Sequence, residues 1–343
     1  MDLTIRQMNP DESDTVRQLV ARAFGLPSAL GAVLVFPAPK SALVAVLGDR
    51  IVGAYVYKIE HLAFKKVGFC SFFVTDPEYH GKGIGKELCQ AGVRHLWEEE
   101  NCDQQLSYVR DDNIASWGAF VKNGFFRTGF PDLVRSYGMI NSLRIYISSI
   151  CAFAFGHDFY VANRTKNTST FYEKKGGLGQ IALYIMVNML LITPLLQFTD
   201  NPTALVQAFG ILFAGSVASG YIGTLFSRDR GWRFRMATGG MFSTLTVHLF
   251  GGGFFPMTGT WQPAEFERTP RFRRDMAITD MTVWLFLIGL SFTDMSGIAF
   301  ILLVLRSIPI EALNPFGGGR LLAWNKPLFA IFAIASLLIA FVL

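Results

Sequence analysis

Residues 72–88 read FFVTDPEYHGKGIGKEL. Phe72 to Thr75 has the composition of a strand end, and Asp76-Pro77 stops it. Gly81, Gly83 and Gly85 then mark a turn, and a helix is expected from about residue 83 to 99. Glycines at alternate positions let backbone N–H groups approach an anion, and the start of a helix adds partial positive charge. Lys82 and Lys86 add full charges. A diphosphate fits this chemistry. The stretch is not the nucleotide loop GxxxxGK[ST], and Gly81-Gly83-Gly85 does not match the dinucleotide fingerprint GxGxxG. A glycine-rich helix cap with no ligand is the plainer alternative.

Outward from the loop, the pattern alternates strands and helices. LTIRQM (3–8) is a strand, and an acid-capped helix follows from Asp11 to about Phe24. ALVAVL (42–47) and IVGAYVYKIEHL (51–62) form a hairpin across Gly48-Asp49-Arg50. A strand over 67–75 enters the loop. Beyond the loop helix come a strand at 105–109, a helix at 113–123 and a strand at 125–130. The order βαβββαβαβ predicts an α/β fold, a mixed sheet with flanking helices, over residues 1–140.

The loop resembles the acyl-CoA-binding motif of the GNAT acetyltransferase superfamily, Gln/Arg-x-x-Gly-x-Gly/Ala, here His80-x-x-Gly83-x-Gly85. NIASWGAFVKNGF (113–125) is similar to the second motif of that family. The resemblance implies acetyl-CoA as cosubstrate and direct transfer of its acetyl group to an amine. Phe73 and Val74 would pair with the pantetheine arm. His80, Gly81, Lys82, Gly83, Ile84, Gly85 and Lys86 would hold the diphosphate, and Asn113 would reach the arm. Many members protonate the leaving thiolate with a tyrosine that falls here on Phe120. Tyr108 and Ser116 are nearby substitutes, and Glu60 or Asp76 could act as base through water.

The rest of the chain has another character. The protein is 51% hydrophobic and only 17% charged, too apolar for an ordinary soluble protein. Residues 1–140 carry 15 Lys+Arg against 16 Asp+Glu, whereas 141–343 carry 16 against 10. The basic excess therefore lies in the apolar half. Basic residues flanking apolar spans point to anionic lipid rather than nucleic acid. Cys70, Cys89, Cys102 and Cys151 have no metal spacing and read as reduced packing residues of a cytosolic domain. The polar start MDLTIRQMNPDESD predicts no signal peptide. Asn163 and Asn167 open sequons that arise often by chance.

NSLRIYISSICAFAF (141–155) reads as an interfacial helix, and 156–175 as linker. Residues 176–343 read as an α-helical multi-pass transmembrane domain of about four spans. The runs are 176–199, 201–227, 281–305 and 327–343, with a glycine-broken re-entrant segment at 236–264. Lys174, Lys175, Arg228, Arg230, Arg268 and Arg271 then share the cytoplasmic side, as does the N-terminal domain. Asp294 and His248 are the ionisable residues expected at membrane depth.

SGYIGTLFSRDRGW (219–232) and IPIEALNPFGGGRLLAWNKPLF (308–329) resemble segments of the site-2 intramembrane metalloproteases. Their zinc ligands would fall on Ser219, Gly220, Gly223 and Gly317, none of which binds metal. The resemblance implies a protease-like shell without its metal, a pseudoprotease. Two functions follow. One is a membrane-anchored N-acetyltransferase acting on an amine of a membrane protein or amino-lipid. The other is an acyl-CoA sensor or scaffold without turnover.

Overall fold

The computed structural model describes residues 3–23, 38–110, 113–149, 156–164, 176–227, 231–237, 239–250, 255–263, 270–308 and 316–342. The chain divides into two compact units, the first made of Met1–Val109, Asn113–Ser149 and Phe159–Lys174 and the second of Lys175–Leu343 with Arg110–Asp112 and Ile150–Asp158. Residues 24–37, Cys151, Asn167, Lys174, Lys175, Arg228, Arg230 and Arg268 lie outside the described residues.

The first unit is built on a seven-stranded mixed sheet in the order β1-β2-β3-β4-β5-β7-β6. β1 (Leu3–Gln7), β2 (Ala42–Leu47), β3 (Arg50–Leu62) and β4 (Lys65–Thr75) form an antiparallel run. β5 (Gln104–Arg110) is parallel to β4, the geometry a helical crossover demands. That crossover is α2 (Ile84–Glu98). Helix α1 (Ser13–Ala23) follows a 3-10 turn at Pro10–Glu12. A capping box opens the turn: the Asn9 amide donates to Glu12 at 2.8 Å. Arg6 grips the same carboxylate at 2.6 and 2.8 Å and holds it down to about 2.

The two sheet faces are covered separately. Val16, Leu19 and Val20 of α1 bury against Val44, Ala54, Val56 and Val74. On the opposite face Gly92 of α2 lies so close to Tyr55 that an added Cβ would be 2.6 Å from the ring. Burial pushes the Cys89 thiol to about 12 and the Cys102 thiol to about 11, so both are inert packing groups.

The sheet does not end at residue 140. β6 (Phe126–Thr128) is short, and α3 (Ile114–Lys122) precedes it. Helices α4 (Phe130–Tyr137) and α5 (Met139–Ser148) follow, then β7 (His157–Asn163). β7 lies between β5 and β6, inside the stretch expected to be interfacial segment and linker. Phe159 to Ala162 are all buried. An inner strand covered on both faces shows no alternation, and so few apolar residues escape a periodicity test. α5 turns Ser142, Ile145 and Tyr146 inward, while Ile140 and Ile147 are exposed. Asn163 of the first sequon accepts a hydrogen bond from Gln104 at 2.7 Å.

The second unit is mostly helical. α6 (Leu178–Leu191) continues as a 3-10 turn to Phe198, and α7 spans Pro202–Thr224. Leu178–Phe198 and Pro202–Thr224 are each long and apolar enough to cross a membrane. α7 packs on α9 (Pro270–Leu290) along small residues: a Cβ on Gly223 would lie 2.6 Å from the Thr279 Cα.

The 236–264 run contains α8 (Met241–Phe250) between β8 (Trp232–Met236) and β9 (Gly259–Pro263). β8 and β9 pair antiparallel, with Met236 opposite Gly259, so the run returns to where it began. The expected single span at 281–305 is instead broken. α9 ends at Leu290 and α10 (Ser296–Ser307) starts anew, with Asp294 exposed in the turn. At the break the Thr293 hydroxyl oxygen accepts from the Met295 amide at 3.2 Å. His248 is half-buried on α8, and its Nδ1 has no hydrogen-bond partner among the described residues. Short α11 (Gly318–Trp324) and apolar α12 (Lys326–Val342) complete the unit.

Candidate active site

The glycine loop connects β4 to α2, and strand pairing sets its approach. β3 and β4 pair Val56 with Phe72 and Tyr57 with Cys70, which leaves Ser71 as a bulge. β4 and β5 pair from Val67–Gln104 to Cys70–Ser107, yet the strands run on to Thr75 and Arg110. Beyond the bulge the two parallel strands part. The β5-facing edge of β4 from Ser71 to Val74, which includes Phe73 and Val74, has no described strand partner.

The loop itself is open. Gly81 and Gly83 have φ of +82° and +85°, a region L side chains rarely adopt. A Cβ added at either would meet nothing within 4 Å. Gly85 does a different job: its Cβ would lie 3.2 Å from the Thr75 hydroxyl, so it seats α2 against β4. Among the described residues the amides of 81–85 have no protein acceptor; the first α2 turn closes only with Lys86 and Glu87 donating to the Gly83 carbonyl. A row of free N–H groups, a helix start and exposed Lys86 form an anion cradle. Ile84 is buried and anchors the helix.

His80 and Lys82 are tied locally. His80 Nε2 donates to the Thr75 carbonyl at 3.0 Å and braces the loop. The Lys82 ammonium lies 4.5 Å from the centroid of the Tyr79 ring. Asp76 is buried, accepts from Arg50 at 3.1 Å and Arg22 at 3.4 Å, and caps the turn through the Glu78 amide. It is a structural carboxylate.

The remaining sequence candidates fall in two places. Asn113 caps α3 by accepting from the Ser116 amide at 3.2 Å, which puts Ser116 in the first turn. Tyr108 stands one residue beyond the last β4–β5 pair and stacks on Phe69 at 5.9 Å. Both therefore flank the divergence. Glu60 does not come near it. Glu60 pairs across the sheet with Val67, eight residues before Thr75, about 26 Å along the strand. Arg144 at 2.7 Å and Lys58 at 3.1 Å hold its carboxylate.

Phe120 is 1% exposed and packs on Phe73 at 5.7 Å and Phe125 at 5.0 Å. The sequence reading passed over Tyr55, whose ring lies 6.4 Å from Phe120. Its hydroxyl is buried with the Cys70 thiol as its polar neighbour, and burial raises its pKa well above the ordinary value. A lone tyrosine within a hydrophobic strand carries no sequence signal that would single it out.

Among the described residues no group of three His, Cys, Asp or Glu could hold a metal ion. At the positions of the protease resemblance, Gly220 faces Trp261 and Gly223 faces α9. A Cβ on Gly317 would collide with the Arg306 guanidinium.

Residues 15–125 match the model of the acetyltransferase (GNAT) family. Two mycothiol acetyltransferases are similar. That of Kocuria rhizophila is 31% identical over 90 residues, covering 26% of this chain and 29% of the relative. That of Salinispora tropica is 30% identical over 79 residues, covering 23% and 26%. The chain thus spans under a third of the length of these relatives. Among solved structures, the ribosomal-protein-S18-alanine N-acetyltransferase of Escherichia coli is 12% identical, with coverage of 49% and 99% and a TM-score of 0.35. A Bacillus subtilis acetyltransferase in complex with CoA is 16% identical, with coverage of 48% and 100% and a TM-score of 0.33.

Proposed function

We infer, from a domain that matches the acetyltransferase (GNAT) family over residues 15–125, that this chain moves an acetyl group from acetyl-CoA to an amine. The observation that carries this reading is the open edge of β4, which is followed, after the Pro77–Tyr79 turn, by the free amides of 81–85. A pantetheine arm needs backbone donors and acceptors along its length, and a diphosphate needs the cradle at its end. The bulge at Ser71 lies just past the last β4–β5 pair, Cys70–Ser107, where that edge opens.

Acetyl-CoA supplies an activated thioester carbonyl. The amine nitrogen attacks that carbon, the C–S bond breaks, the nitrogen gives up a proton and the thiolate departs. Phe73, Val74 and Asn113 position the arm, and residues 80–86 hold the diphosphate. A backbone N–H of the β4 edge stabilises the charge that develops on oxygen. Glu60 is engaged in ion pairs, so proton transfer falls to Tyr108, Ser116 and water.

The acceptor is a membrane-associated amine, on a protein or an amino-lipid. Two long apolar helices and the returning 236–264 run support reading the second unit as a membrane anchor, with the first unit cytoplasmic. A second reading rests on Phe120, buried and without a hydroxyl where the family resemblance expects a proton donor. On that reading the first unit binds acyl-CoA without turnover and reports to a pseudoprotease-like shell.

CoA release by the full chain in nanodiscs, with acetyl-CoA and a panel of peptide and lipid amines, tests the proposal. Acceptor-dependent release that disappears in Gly83→Glu is expected. Tight acetyl-CoA binding without release across the panel would favour the second reading. Absence of binding would sink both.

A further inference from the structure

The β3–β4 hairpin ends in a two-residue turn, Ala63-Phe64, just past the last pair of Leu62 with Lys65. Both turn residues have positive φ, +47° and +65°. Such a turn favours Asn-Gly, and a bulky side chain there is strained. No packing offsets that strain. Leu62 is buried, but the Phe64 side chain is fully exposed.

Helix α5 brings a second apolar group to the same end of the sheet. Arg144 meets Glu60 at 2.7 Å, and Ser148 accepts from Lys58 at 3.2 Å. Four residues of helix, about 6 Å, thus match two residues of strand. One turn back toward its N-terminus, α5 places Met139 and Ile140 level with Leu62. Met139 is 54% exposed and Ile140 83%.

The first unit also gives up its chain at this end. The Asp103 amide donates to the Lys66 carbonyl at 2.8 Å, and the Arg164 amide to the Asp103 carbonyl at 3.3 Å. Arg164 therefore lies two strand spacings from β4, about 10 Å. Residues 165–175 then lead to Gly176 and reach at most about 40 Å. Leu178–Phe198, long and apolar enough to cross a membrane, begins directly after. The glycine loop lies past the other end of the eleven-residue β4, about 36 Å from the tip.

We propose that Phe64, with Met139 and Ile140 beside it, inserts into the interfacial layer of a lipid bilayer and seats the first unit on the membrane, with its glycine loop facing water. The inference rests on reading the second unit as a membrane anchor. A short tether leaving from the tip's own end keeps that end near lipid. Aromatic rings favour the headgroup layer, and the Lys65 stem is long enough to keep its ammonium at phosphate while the ring goes deeper. Three apolar side chains are far fewer than the roughly 20–30 residues a side of a stable protein interface, so lipid suits the patch better than a second protein.

The test puts NBD, a polarity-sensitive fluorophore, at position 63 through Ala63→Cys. Cys151→Ser is added, because Cys70, Cys89 and Cys102 are buried. The full chain is reconstituted in phosphatidylcholine vesicles with and without doxyl lipid. Emission shifted to the blue and quenched by doxyl lipid is expected. The same label at Asp49→Cys, on the turn at the other end of β3, should emit as in water and stay unquenched. Phe64→Ser with Ile140→Ser should abolish the shift and the quenching at position 63, with circular dichroism unchanged. An unquenched label at 63, whether wet or covered by protein, overturns the proposal. So does equal quenching at 49, or quenching that survives loss of both side chains. Flotation of the same vesicles separates the failures. A chain that does not float overturns the anchor reading as well, whereas a floating chain with an unquenched tip overturns this proposal alone.

Discussion

Glycine serves opposite ends at the 81–83 loop of the first unit and along the Gly220–Gly223 and Gly317 packing of the second. At Gly81 and Gly83 a side chain would meet empty space, and glycine is needed only for its backbone conformation. At Gly220, Gly223 and Gly317 a side chain would strike a neighbour, and glycine is needed for its size. The first arrangement keeps room for something outside the chain. The second fills its room with the chain's own Trp261, Thr279 and Arg306. Similar composition thus produces an open cradle in one unit and a closed seam in the other.

The comparison breaks most visibly if the seam is forced open. Gly223→Leu should cost about 3 kcal/mol, because the overpacked residue meets Thr279 backbone rather than a movable side chain end. Thermal unfolding would register a loss in the second unit, and calorimetry should find CoA binding by the first unit unchanged. Gly83→Glu should do the reverse. Its strained φ and added carboxylate should weaken acetyl-CoA binding about 100-fold, or about 2.7 kcal/mol, with the fold retained by circular dichroism.

Two smaller tests sharpen the picture of the first unit. Phe120→Tyr places a hydroxyl beside Phe73 and should raise turnover about tenfold if thiolate departure limits the rate. Single-turnover kinetics would show it in kcat with little change in KM. Last, Glu12 is held down to about 2 by Arg6, against an ordinary 4.5. A carboxyl lowered by folding stabilises above its unfolded pKa and loses that stabilisation as pH falls through the folded value. The Glu12 contribution is therefore full above about 4.5 and fades toward 2. Glu12→Gln should cost about 1 kcal/mol at pH 7 and converge with the parent protein near the lower value, measured by thermal midpoints.

Much of this was legible from residue types. The strand–loop–helix around 72–88, the hairpin at 48–50 and the cap at Asn113 depend on local chemistry, and the chain obeys it. What escaped depended on distant partners. β7 is buried along its whole middle and shows no alternation to announce itself, so the sheet extends beyond the expected boundary at 140. Glu60 looked available because nothing in the sequence tells that Arg144, 84 residues away, will take it. The misreading of Asp294 is more instructive. The run 281–305, with Asp294 as its one charge, lies between Asp280 and Arg306, neither of which the sequence pattern singles out. A break at 291–295 folds the run in half and brings those two residues side by side, while the charge inside it faces outward.

The position of β7 also bears on how the chain is made. Among the described strands β6 pairs with β7, which is synthesised about thirty residues later. Until then β5 presents an open edge on the growing chain, and open edges invite wrong partners. A fragment ending at residue 140 would carry that defect permanently and should aggregate. One ending at 164 covers the β5 edge with β7 and should stay in solution, which sedimentation of the two fragments would check.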